Sequence, residues 1–198
     1  MAASERFPQV IALIDRLNSD DPNKDVIGGV PHPRELLYSQ RVTEWVLRLD
    51  PEASEALRIA ARGQHVQRWT IPRRRYPMTR AGYLKWRETL KTFHAKTVAG
   101  LMREADFPDE TVQRVQAIMS KRRLQDDPET QALEDALCLV FLETQFSDLR
   151  KKTADEKMRD VLRKTWQKMS GRARAEALKL PMGEEERILL SRALSASA

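Results

Sequence analysis

Three histidines, one acidic pair and a run of arginines interleaved with aromatic rings are the residues of this chain best suited to chemistry. His65 falls at the end of a predicted helix, and His94 lies on the apolar stripe of the next long helix with Leu90, Val98 and Leu101. Glu134-Asp135 heads the most apolar stretch of the chain, while His32 sits between two prolines in a predicted loop and has no assigned role. A buried ionisable group is costly unless paired or coordinated. The acidic pair is therefore expected to face a cation, whether a metal ion, a lysine or an arginine. Asp135 shares its helical face with Leu139 and Leu142, and Glu134 shares one with Cys138 and Phe141. The plainer alternatives are a buried salt bridge to a residue such as Arg68 or Arg87, and for His94 a satisfied core histidine.

From His65 to Arg87 the chain sets guanidinium groups among rings: Arg68-Trp69, then Arg73-Arg74-Arg75-Tyr76, then Arg80, Tyr83, Trp86 and Arg87. Guanidinium forks bind phosphate or carboxylate in bidentate fashion, and Trp and Tyr offer stacking faces, so the combination suits a nucleotide or a single-stranded segment. Arg68, Trp69, Arg73, Tyr76, Tyr83 and Arg87 are the candidate ligand-binding residues. Alternatively, Pro72, Pro77 and Gly82 fix an irregular path that Trp69 and Trp86 anchor to the core. Between Arg62 and Lys91 there are nine basic residues and one acid, Glu88, a local net charge of +8 in a chain of net +6. That localisation attracts anions, carried by a metabolite or by nucleic acid; a solvated basic face is the competing explanation.

Bulk properties narrow the setting. A chain of 198 residues fits one domain with its own core, here expected as a helical domain over 1–180 followed by a polar C-terminal helix or tail over 181–198. The single cysteine, Cys138, cannot form an internal disulfide and lies in an apolar run, which suits a reduced, cytoplasmic compartment. The N-terminal residues lack a hydrophobic signal region, and the longest apolar run, 136–142, is too short to span a bilayer. No membrane partner is expected, and composition leaves the oligomeric state open. A phosphate-binding Gly-rich loop, an HExxH helix, a paired CxxC and a calcium loop are all absent from the sequence.

The elements that must position these residues are helical, since seven glycines disfavour a turn-rich β architecture. Phe7, Val10, Ile11, Ile14 and Leu17 mark a first helix, ending before Asp20-Asp21-Pro22, with a loop to Pro33. Leu36 to Leu49 form a second. Asp50-Pro51 should cap and open a third, which runs to about His65. Thr79 should cap a long fourth helix closing near Phe107-Pro108, Val112 to Met119 form a fifth, and Asp127-Pro128 opens a sixth that is apolar on nearly all sides. Thr153 and Glu156 have the spacing of a capping box for a seventh. The fold class is all-α, a bundle of about seven to eight helices around a central buried helix near 130–150.

The runs QHVQRWTIPRRRYPMTRAGYLKWR, KRRLQDDPETQALEDALCLVFLE and LRKTWQKMS closely resemble the bacterial and fungal family called domain of unknown function 4202, from Ile11 to about Leu180. That family name implies no activity. The order of helices also resembles the HD superfamily of helical metal-dependent phosphohydrolases, and this resemblance implies an HD-like bundle with one divalent metal ion, Zn, Mn or Fe. Under it, His65, His94 and Asp135 are the metal ligands, and Glu134 and Lys121 belong to the catalytic set. Val66 stands where the Asp of the His-Asp pair belongs, and Tyr38, counted with the ligand-binding residues, stands where the first His is expected. The implied function is binding, and metal-dependent hydrolysis, of a small phosphorylated or nucleotide ligand. The second reading is a non-catalytic module binding RNA or a nucleotide over a degenerate metal site.

Overall fold

The computed structural model describes residues 3–195 apart from 122, 123 and 125. Helical apolar spacing builds α1 (Ala3–Ser19), with Val10 and Ile14 fully buried, and α2 (Arg34–Leu49), whose inner stripe is Val42, Trp45, Val46 and Leu49. The expected loop between them is instead an antiparallel hairpin, β1 (Lys24–Ile27) with β2 (Val30–Pro33), turning at Gly28-Gly29, whose φ values are +57° and +83°. Two consecutive glycines supply the positive φ that a two-residue turn demands. The strands show no alternating pattern because Val26, Ile27 and Val30 are all exposed.

The third helix, α3 (Glu55–Arg62), starts later and stops sooner than expected. Asp50 terminates α2, and the cap of α3 is Ser54, whose hydroxyl accepts from the Leu57 N–H at 3.1 Å. Leu57, Ile59, Ala60 and Ala61 are buried, so this short helix lies at the centre of its neighbours. Its end approaches α4 (Arg80–Glu104) closely: a Cβ on Gly63 would lie 2.4 Å from Val98 Cγ2, so only glycine fits. His65 therefore sits on a turn after the helix and not within it. Two 3-10 turns, Arg68–Thr70 and Arg73–Arg75, carry the chain past the prolines, and Thr79 caps α4 as expected, its hydroxyl accepting from Gly82 N–H at 3.1 Å.

α5 (Asp109–Ser120) buries Val112, Val115, Ile118 and Met119, and α6 (Pro128–Thr144) buries Leu133, Ala136, Leu139 and Val140. The capping box does not form. Thr153 donates its N–H to the Arg150 carbonyl, closing α7 (Phe146–Lys151), and α8 (Asp155–Lys168) begins with Ala154 at its cap. α9 (Gly171–Ala177) and α10 (Glu184–Ser195) complete the chain. The protein is all-α apart from the hairpin, with ten α-helices among the described residues; the excess over seven to eight comes from the short helices after α6. No described helix is long and apolar enough to cross a membrane.

Packing divides the chain into two compact units, Met1–Leu133 and Glu134–Ala198, with the boundary inside α6. The first holds α1 to α5 and the hairpin. The second packs α10 against α8, burying Met158, Leu162, Leu189 and Leu190. Within the first unit the start of α6 is tied down by Arg114, which holds both oxygens of Asp127 at 2.8 Å and also meets Glu129. Asp127 in turn accepts from the Thr130 hydroxyl at 2.6 Å. The Arg114 guanidinium draws the Asp127 carboxyl down to about 2. Because that value lies below the unfolded one, the contribution of Asp127 is present above about pH 4 and lost as pH falls through about 2. Asp127→Asn is expected to cost about 1–3 kcal/mol at neutral pH. Urea denaturation across this range should show the gap between native and variant closing toward pH 2.

Candidate functional site

Four elements of the first unit converge on His65: α2, the first 3-10 turn, α4 and the end of α5. Its Nδ1 lies 3.0 Å from Glu35 Oε2, its ring stacks on Tyr38 with centroids 4.0 Å apart, and the His94 ring is 5.8 Å away. Glu35 also meets Arg68 at 3.6 Å, and the Arg68 guanidinium lies over Trp86 at 5.0 Å. Lys121, at the left-handed C-cap of α5, is close enough for its charge to act on His65. The structure thus brings together Tyr38, His65, Arg68, His94 and Lys121, and adds Glu35.

Glu35 has a place because α2 cannot cap itself. Pro33 precedes the helix without a side-chain cap, and Asp21, fully buried after α1, accepts from the Glu35 N–H at 3.0 Å instead. The turn carrying His65 is held by a residue of α1 itself. Asn18, also fully buried, accepts through Oδ1 from the N–H of Gln67, which lies in the left-handed region at φ 51°. Both flanks of the site are thereby fixed by the end of α1.

The protonation pattern follows from these partners. A carboxylate only accepts, so Nδ1 of His65 carries the proton and Nε2 keeps its lone pair. Burial depresses the affinity of His65 for a second proton, opposed by Glu35 and reinforced by the charges of Arg68 and Lys121. His94 is depressed further, to about 2, chiefly by burial and then by His65 and Arg68, while a hydrogen bond to the Gln64 backbone opposes the shift. Since Nε2 of His94 has no hydrogen-bond partner, that bond belongs to Nδ1. Nδ1 is engaged on both rings, and Nε2 of His94 is buried without a hydrogen-bond partner.

Trp69, Arg73, Tyr83 and Arg87 belong to the arginine-rich connection and the start of α4. Arg73 donates to the carbonyls of Tyr76 at 2.9 Å and Pro77 at 2.7 Å, so it braces its own loop. The guanidinium groups of Arg73 and Arg87 lie 6.0 and 5.9 Å from the Tyr83 ring centroid, and Trp69 is half-buried in the first 3-10 turn. In the second unit Glu134 and Asp135 are both buried. Glu134 pairs with Lys168 at 3.2 Å, and Asp135 accepts from the Ser170 N–H at 2.8 Å at the start of α9. Cys138 is buried. Val66, where the HD resemblance expects an Asp, is fully buried in the core. Among the described residues no group of three or more His, Cys, Asp or Glu side chains is arranged as a metal cluster.

Reasoning from sequence missed Glu35, Asn18 and Asp21. Glu35 does leave a signal, for it continues the buried stripe of Ser39, Val42 and Val46 by one helical turn. Asn18 leaves none, because its partner is the distant N–H of Gln67, and Asp21 shows only a local turn to Asn23, which does not announce its bond to the Glu35 N–H.

Fold and site together define an all-α protein with one small hairpin and a histidine pair, in which Glu35 backs the half-buried His65 and the Gln64 backbone backs the buried His94. The chain belongs to the family described as Domain of unknown function (DUF4202), whose model matches residues 8–190. No curated protein and no solved structure matches it, so the HD resemblance gains no support from these comparisons.

Removing Glu35 leaves His65 Nδ1 and Arg68 without their shared carboxylate. Glu35→Ala is expected to lower the unfolding free energy by about 1–3 kcal/mol. Imidazole nitrogen NMR shifts should report a fixed Nδ1–H tautomer for His65 in the native protein and a mixture in the variant. An unchanged tautomer would show that Glu35 does not set it.

Proposed function

We propose that the first unit holds a site for a small phosphorylated or nucleotide ligand, centred on His65 and His94, and that its reaction is a metal-dependent phosphohydrolysis of a divergent HD-like kind. The observation that carries this reading is the Nε2 atom of His94, buried and without a hydrogen-bond partner. Leaving such an atom unsatisfied costs free energy, and a cation is one partner that recovers it. His65 offers a second imidazole with Nδ1 already held by Glu35. A carboxylate or carbonyl behind each ring is the arrangement that fixes the tautomer and raises the basicity of metal-ligating histidines.

Imidazole donors suit Zn or Fe, and Mn would draw further oxygen ligands from water or the ligand itself. An ion held there would supply Lewis acidity toward a phosphoryl oxygen and toward water. The residues of the chain account for the rest. Glu35 holds the orientation of His65, the stacked Tyr38 ring limits its rotation, and Arg68 and Lys121 add the positive charge that favours a phosphate beside it.

The test is elemental analysis of tag-free protein with parallel circular dichroism. Native protein is expected to retain about one divalent metal per chain, and His65→Ala and His94→Ala to lower metal affinity about 10–100-fold while keeping their helical spectrum. Folded native protein that neither carries nor takes up Zn, Mn or Fe would sink the proposal.

A further inference from the structure

We propose that the outer face of the Arg73–Arg87 segment binds single-stranded nucleic acid, with Tyr83 as a stacking platform and Arg74, Arg80 and Arg87 as phosphate contacts. Tyr83 stands on the first turns of α4 with 42% of its surface exposed. It is backed by Trp86, whose centroid is 6.0 Å away and whose indole N–H donates to the Ile71 carbonyl at 2.8 Å. The ring cannot sink into the protein, because the layer beneath it is already pinned. The guanidinium groups of Arg73 and Arg87 lie about it at 6.0 and 5.9 Å. An accessible ring set among planar cations is the combination on which unpaired bases stack while the cations reach the phosphates.

Charge complementarity selects a polyanion. The segment from Arg62 to Lys91 holds nine basic residues; Arg62 and Arg68 are paired with Asp15 and Glu35, and Lys91 with the one acid of the segment, Glu88, at 2.7 Å, which leaves a positive surplus on the others. Arg74, Arg80 and Arg87 are all exposed. The exposed side chains of Met78 and Leu84 add apolar surface for base faces. These two aliphatic side chains do not make the broad apolar face by which a helix enters a bilayer, and a protein ligand bearing only carboxylates has no use for the ring. A duplex conceals its base faces, which leaves a single strand as the partner that uses both features. The surface lies outside the histidine pair and does not rest on the metal-dependent reading.

The experiment is fluorescence anisotropy with a short labelled oligouridylate and the full chain at low and moderate salt. Binding is expected to weaken with salt, the logarithm of the association constant falling with a slope of about −2 for three phosphate contacts. Arg87→Ala should reduce that slope by about 0.7. Tyr83→Leu, which keeps a side chain against Trp86, should weaken binding about tenfold or more, and Tyr83→Phe should retain it. Chelator should leave binding unchanged, which separates this result from the fate of the metal-dependent site. Absence of binding at low salt, a Tyr83→Leu protein that binds like the native one, or preference for a duplex of equal length or for phosphatidylserine vesicles would each overturn the proposal.

Discussion

The buried carboxylate of Glu35 is the constraint around which the first unit is organised. A carboxylate with 5% of its surface exposed needs charge and hydrogen-bond partners, and it finds them in His65 and Arg68, both from the turn that follows α3. That turn cannot move without breaking the pair. Its position is secured from two sides, by the close approach that admits only Gly63 and by Asn18, which holds Gln67 in a left-handed conformation. The same helix end that supplies Asn18 supplies Asp21 to cap α2 beneath Glu35. One short stretch, from Asn18 to Asp21, thus sets both partners of the ion pair.

This dependence explains why the arginine-rich connection has an ordered path despite its prolines. Arg73 and Arg75 donate to carbonyls at 70, 76 and 77, doing the work that helix hydrogen bonds cannot do across Pro72 and Pro77. Arg68 faces inward to Glu35. Arg74, Arg80 and Arg87 face water. The positive run is therefore three populations: one that neutralises a buried acid, one that shapes the loop and one that leaves a field on the surface. A single sum of charges hides that division, because burial and not composition sorts it.

Much of the framework was legible in the sequence for the same reason that it is stable. Where apolar residues recur over three or more turns, as in α1, α2, α4 and α5, the pattern that reveals the helix is also the surface that buries it. Thr79 and Asp127 were legible as caps because each is followed at once by its helix. The hairpin was not, since its strands are held by a glycine turn and not by a buried face. The short helices after α6 were not either, their periods being too brief to stand out. Of the site, His65, His94, Arg68 and Tyr38 were named from sequence and the structure brings them together. The bond that orients His65 could be read only from the missed continuation of a stripe to Glu35.

The acidic pair in the middle of α6 shows how an inference from cost can be sound while leaving the partner open. Burial required compensation, and within the second unit Glu134 meets Lys168 while Asp135 meets a backbone N–H at the start of α9. A backbone N–H is one of the donors a buried carboxylate can use, and it leaves no trace in the sequence. His94 presents the opposite case. Its Nδ1 is answered by the Gln64 backbone, but its Nε2 has no hydrogen bond. The cost that argument from sequence assigned to the acids thus persists in the structure at the imidazole, and that is why the histidine pair carries the chemical reading.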